Sequence, residues 1–192
     1  VEIEFNGSID DLSIFEAAIT RIFKLLRGTN EIYDIKTKNA LVMSVAKALN
    51  PEKYQNQRSL PSNDTEFEDR DIKPRMVDAR NIKRRDLVYG GIVGNETTNY
   101  IATYKADGLR KLLVIHATGI WLVYPPYEYN LVLLTHPLIK SLADTILDGE
   151  LVQPKKDINI DYWYLGFDCL AFKGNHSVQN KPYMERKKVV DA

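Results

Sequence analysis

From residue 100 to residue 172 the sequence is a succession of short β-prone runs broken by turn residues, and this pattern constrains the fold more than any other. The runs are Tyr100–Tyr104, Leu112–His116, Ile120–Tyr124, Asn130–Thr135, Thr145–Val152 and an aromatic strand from Tyr162 to Phe172. The turn Ala117–Gly119 joins the second and third runs as a hairpin, and Pro125 and Pro126 break the third. His136 to Ala143 predicts a short helix. Thr145–Val152 reads as a hydrophobic strand interrupted by an acidic glycine turn at Asp148 and Gly149. The expected architecture is a β-meander, hence an α+β domain dominated by antiparallel sheet.

The first run ends in YKADGLR, residues 104–110, which brings Lys105, Asp107, Gly108 and Arg110 close together. Lysine is protonated at its ordinary pKa of about 10.4 and attacks only where burial or a neighbouring cation lowers that value. Arg110 is the expected cation, and its planar fork also suits phosphate or ribose oxygens. Asp107 and Gly108 are expected to shape the turn that presents Lys105. Taken alone, the segment reads equally as a surface turn at the end of a sheet.

Two further segments follow in fixed order: LDGELV at residues 147–152 and YLGFDCLAFKG at residues 164–174. The series KADGLR, LDGELV, YLGFDCLAFKG resembles motifs I, III and IIIa of the covalent nucleotidyltransferases, the superfamily of mRNA capping enzymes and ATP-dependent polynucleotide ligases. The segments RNIKRRDLVYGGIVG (residues 80–94) and PYMERKKVV (residues 182–190) look like the guanylyltransferase domain of large DNA-virus capping enzymes. This resemblance covers residues 72 to 192. A ligase carrying AMP on the same lysine is the alternative, and a non-catalytic relic of the fold is a third reading.

The resemblance implies a mechanism. Lys105 is the nucleophile that attacks the α-phosphorus of GTP, releases pyrophosphate and passes GMP to a diphosphate RNA 5′ end. Arg110 and Glu150 match positions that hydrogen-bond the ribose, and Glu150 alternatively orients a metal-bound water. Phe167 matches the aromatic that stacks on the purine; the plainer reading of Phe167 is a core ring in an apolar strand. Mg²⁺ or Mn²⁺ is the expected cofactor, because a divalent ion neutralises phosphate oxygens. Later motifs of the family have no candidate here, so the chain is expected to be part of a multidomain capping protein and inactive by itself.

Ahead of this region the pattern is helical. Apolar residues Leu12, Phe15, Ile19, Ile22, Phe23 and Leu26 recur at helical spacing, with Ser8 or Asp10 as cap and Gly28 as stop. A second helix is expected from about Thr37 to Leu49, with Leu41, Val42, Val45 and Leu49 inward and Pro51 beyond its end. Residues 50–71 turn polar and acidic and read as a linker. A basic cluster from Lys73 to Arg85 follows, suited to phosphates or simply solvated. At the start, Glu2 and Glu4 alternate with apolar residues, which places both on one face of a strand. Such a pair suits a divalent metal, and triphosphatases that precede guanylyltransferases carry a Glu-x-Glu metal strand; an exposed acidic edge is the alternative.

The resemblance implies a terminal triphosphatase strand at residues 1–6, a helical connector and acidic linker at 7–71, and the front half of a guanylyltransferase domain at 72–192. Twenty-six basic residues balance 26 acidic ones, so binding of RNA has to be local rather than driven by a global field. The single cysteine, Cys169, excludes an internal disulfide and reads as a small core residue. The histidines His116, His136 and His176 lack metal-ligand spacing and read as structural or surface residues. No apolar run approaches membrane-spanning length, and a cytoplasmic setting, or a viral factory or virion, is expected.

Overall fold

The predicted strands condense into one sheet, with one exception. The computed structural model describes residues 4–27, 32–49, 51–54, 81–92, 96–97, 100–124, 128–133, 135–154 and 162–191. Strands β1 (Leu109–His116), β2 (Gly119–Tyr124), β3 (Glu128–Leu133), β4 (Thr145–Val152) and β5 (Trp163–Ala171) pair antiparallel in the order β3-β2-β1-β4-β5. The α+β class is as expected. Residues 100–107 join no ladder among the described residues, although the sequence reads as a strand there. Tyr100, Ile101 and Tyr104 are all exposed, Tyr104 fully so, and a strand without a covered face has little to hold it.

One row of side chains shows why the sheet has a core on this face. Leu131, Trp121, Val114, Ile146 and Ala171 are successive cross-strand partners from β3 to β5, and all are buried. The helix α2 (Ile35–Leu49) covers them with Leu41, Val42, Val45 and Leu49, as the spacing predicts, and also buries Met43, Ala46 and Ala48. Each such large side chain contributes about 1.5–3 kcal/mol on burial. Helix α2 thus shares one core with the sheet, from a region read as connector. It starts two residues earlier than the spacing predicts, because the Asp34 carboxylate accepts the Thr37 N–H at 2.7 Å. That bond holds the Asp34 carboxyl below its ordinary range.

Helix α1 (Leu12–Arg27) begins at the expected place: Ser8 donates its N–H and hydroxyl to Asp11 Oδ2 at 3.2 and 2.9 Å. Its stripe is only thinly covered. Phe15 meets Phe5 at 4.7 Å, while Leu12, Phe23 and Leu26 stay exposed. The expected stop at Gly28 and most of the linker read at 50–71 lie outside the described residues, but residues 51–54 of that linker are helical. Pro51 opens a short helix, α3 (Pro51–Tyr54), and the predicted helix after His136 is α4 (Pro137–Leu142).

Asp148 and Gly149 sit inside β4 rather than interrupting it as a turn. The glycine is there for closeness: a Cβ would stand 2.5 Å from Leu165 O and 2.5 Å from Tyr164 Cζ. The Tyr164 ring crosses this gap and carries its hydroxyl to β1, where it accepts the Leu113 N–H at 3.2 Å. The same hydroxyl has Leu147 O and Lys111 O at 2.9 and 3.1 Å as acceptors for its one proton. Helix α5 (Tyr183–Val190) packs on β5, close enough that a Cβ at Gly166 would lie 2.7 Å from Val190.

Candidate active site

Lys105 lies on the irregular segment leading into β1, and its entry is pinned by Gly108. A Cβ at Gly108 would stand 2.5 Å from Leu151 O, so the chain can press against β4 only without a side chain there. The Lys105 ammonium, 80% exposed, pairs with the Asp107 carboxylate. Asp107 holds the lysine above its ordinary pKa, and Glu150 adds a smaller push in the same direction. This corrects the expected lowering by Arg110. The Arg110 guanidinium is turned onto the sheet face instead, donating from Nε to Asp148 Oδ1 at 3.0 Å and from Nη2 to Asp148 Oδ2 at 2.6 Å.

A cleft of about 760 Å³ opens beside Lys105, lined by Tyr100, Ile101, Glu150, Phe167, Tyr183 and Lys187 among others. Three predicted site residues, Lys105, Glu150 and Phe167, therefore meet on one cavity. Arg110 is not on its wall. It reaches the site through Phe167, whose ring centroid is 5.9 Å from the guanidinium carbon.

The presentation of Phe167 depends on a register shift. Asp148 pairs with Asp168 and Gly149 with Gly166, which leaves Phe167 as the extra residue of a β-bulge. A bulge re-aims a side chain that regular alternation would send elsewhere. Glu150 faces the same cleft, and its Oε2 is buried with no hydrogen-bond partner among the described residues. A buried carboxylate oxygen in that condition is suited to a ligand donor or a cation.

Helix α5 supplies the opposite wall, which sequence reasoning missed. Tyr183 and Lys187 are one turn apart and share a face, and that i,i+4 spacing was the available signal. Arg186 locks the helix down, with Nε 2.7 Å from Asp168 Oδ1 and Nη2 3.0 Å from Asp168 Oδ2. On the other side of Lys105 a second hollow of about 480 Å³ is lined by Asp107, Gly108, Leu151, Gln153 and Tyr162, and it shares Lys105 and Glu150 with the first.

The remaining candidates lie apart. Glu2 is outside the described residues, and Glu4 is exposed and in no strand. His136 caps α4, accepting the Leu138 N–H at 3.2 Å. His116 and His176 line a separate hollow with Asp144 and Lys47. Among the described residues no group of three or more His, Cys, Asp or Glu is arranged to hold a metal ion. Cys169 is fully buried, which pushes its thiol up to about 11. No helix among the described residues is long and apolar enough to cross a membrane.

Residues 93–192 match the family model described as mRNA capping enzyme, catalytic domain. Among curated proteins, the mRNA-capping enzyme of African swine fever virus (strain Badajoz 1971 Vero-adapted) is 38% identical over 76 residues. That of the isolate Pig/Kenya/KEN-50/1950 is 37% identical over 76 residues. Each match covers 40% of this chain and 8% of the viral protein.

Proposed function

The chain belongs to the family of mRNA capping enzyme catalytic domains, and from that premise we propose that it carries the guanylyltransferase chemistry, with Lys105 as the nucleophile. The observation that carries this reading is the meeting of Lys105, Glu150 and Phe167 on one cleft. In the first step the Lys105 Nζ lone pair attacks the α-phosphorus of GTP. The bond from that phosphorus to the bridging oxygen breaks, pyrophosphate leaves with the electron pair, and the nitrogen gives up its proton to solvent. In the second step a terminal phosphate oxygen of a diphosphate RNA end attacks the same phosphorus, the P–N bond breaks, and Nζ takes back its electron pair and a proton.

The residues around the lysine divide the remaining work. Phe167 offers a π-face to the purine, and Arg110 braces that ring from the sheet side. Glu150 offers a carboxylate to ribose hydroxyls. The Lys105 amine has to lose its proton before attack, so its pairing with Asp107 has to be broken when the nucleotide is seated. Mg²⁺ or Mn²⁺, when bound, would neutralise phosphate oxygens, and Glu150, whose Oε2 is buried without a partner among the described residues, would help to hold it as the alternative to its ribose contact.

Incubating the full-length protein with α-phosphate-labelled GTP or ATP and Mg²⁺ tests this. Label is expected to stay on the denatured protein with GTP alone and to vanish in Lys105→Ala. Labelling by ATP alone would make the protein a ligase, and no label with either would remove the chemistry.

A further inference from the structure

Lys105 has to serve two substrates in turn, and the large cleft with Phe167 and Tyr183 is the place the proposed reaction gives to the GTP nucleoside. The acceptor needs its own place within reach of the same phosphorus. The second hollow meets that need by position, because it shares the Lys105 and Glu150 side chains with the cleft and continues away from them past Gly108.

Its lining says what it suits. Leu109 and Leu151 are apolar, Gln153 offers an amide that donates and accepts, and Tyr162, an aromatic residue that is 53% exposed, completes the lining. A flat face, a two-way hydrogen-bonding edge and apolar contact together suit a nucleoside. The hollow suits phosphate poorly beyond its mouth, where Lys105 is the cation on its wall and Asp107 and Glu150 are carboxylates. An RNA end placed with its phosphates at Lys105 and its first base in the hollow satisfies both conditions.

Resting on the reading above, we propose that this hollow receives the first transcribed nucleoside of the RNA acceptor, with Tyr162 as its stacking platform. Base stacking on an aromatic ring has an affinity contribution equivalent to roughly 5- to 150-fold. Tyr162 acts in the second step only.

The two half-reactions separate the possibilities. Full-length protein is first labelled on Lys105 with GTP; transfer is then followed to diphosphate-ended RNA and, separately, to inorganic pyrophosphate. In Tyr162→Ala, labelling and return to pyrophosphate are expected to be unchanged, while transfer to RNA falls about 5- to 150-fold, mostly in KM. Tyr162→Phe is expected to restore it. Unchanged transfer to RNA overturns the proposal. So does equal loss to RNA and pyrophosphate, or loss of labelling in Tyr162→Ala, since either places Tyr162 in the first step or in the fold. Absence of label in the unsubstituted protein instead overturns the lysyl-nucleotide reading itself.

Discussion

Asp148 of β4 and Asp168 of β5 stand directly opposite each other in the ladder, and each carboxylate is held by a different arginine. Like charges facing across a ladder repel. Here Arg110 from β1 takes Asp148 and Arg186 from α5 takes Asp168, each with two hydrogen bonds. The repulsion thereby becomes a fastening, since it obliges a strand and a helix to be in place. Phe167 is next to Asp168 in sequence, and its ring centroid is 5.9 Å from the Arg110 guanidinium carbon.

Removing one side of this fastening exposes its value. Arg186→Ala leaves Asp168, whose side chain is 18% exposed, facing Asp148 without its cation. We expect a loss of about 2–3 kcal/mol, below the range for fully buried pairs. Asp168→Asn combined with Arg186→Ala should cost less than the sum of the two. Denaturant unfolding of the set decides it. Additive effects would mean that the pair contributes no coupling, and α5 is then held by packing alone.

The Lys105–Asp107 pair sets a pH signature. The lysine sits above its ordinary pKa, so at neutral pH nearly all of it is protonated, and attack by the free amine should speed up as pH rises toward that value. Asp107→Asn removes the main cause of the raised pKa and should move the labelling profile to lower pH. Initial labelling rates from about pH 6 to 10 test this. With GTP well below saturation the rate reports the free protein, in which the pair is intact, so a profile that stays in place would show that Asp107 does not hold the lysine above its ordinary range.

How much of this was legible in the sequence depends on which forces were local. The strands β1, β2, β4 and β5, the short α4 and the inward face of α2 were readable, because alternation and helical spacing are properties of neighbouring residues. The motifs singled out Lys105, Glu150 and Phe167, and these three line one cleft. The bulge that frees Phe167 was not, since it exists only in the pairing of β4 with β5. Asp148-Gly149 mimicked a turn because the partners that make it strand, Arg110 and the Tyr164 ring, come from elsewhere in the chain. Arg110 was expected beside Lys105, five residues away, yet strand geometry commits it to Asp148, 38 residues away.

Acid should weaken the fold through His116 and His176. Burial holds both below the ordinary 6.5, and Asp144 opposes this to a lesser degree. His116 Nδ1 also accepts the Thr118 N–H at 3.2 Å, which requires an unprotonated nitrogen. With folded pKa values depressed, the unfolded chain binds more protons below 6.5, so stability falls as pH drops through that value and levels off below the folded values. Above it the pair has no effect. Denaturant midpoints from about pH 8 to 5 should show the decline, and His116→Gln with His176→Gln should flatten it. A decline that survives the double substitution would assign it to carboxylates.

Tyr164 closes the sheet from within, and its hydroxyl can be removed without touching its ring. Tyr164→Phe leaves the Leu113 N–H without its 3.2 Å acceptor and Leu147 O without a 2.9 Å donor, while the ring continues to fill the gap over Gly149. The cost expected for losing such a bond at a part-buried site is about 1–2 kcal/mol, seen as a lower denaturant midpoint at an unchanged slope. Gly149→Ala should cost more, about 2–3 kcal/mol, because a Cβ would strike both the ring and the Leu165 carbonyl. The order of the two effects is the test. If Tyr164→Phe were the more damaging, the hydroxyl rather than the close approach of β4 and β5 would set the register that delivers Phe167 and Glu150 to the cleft.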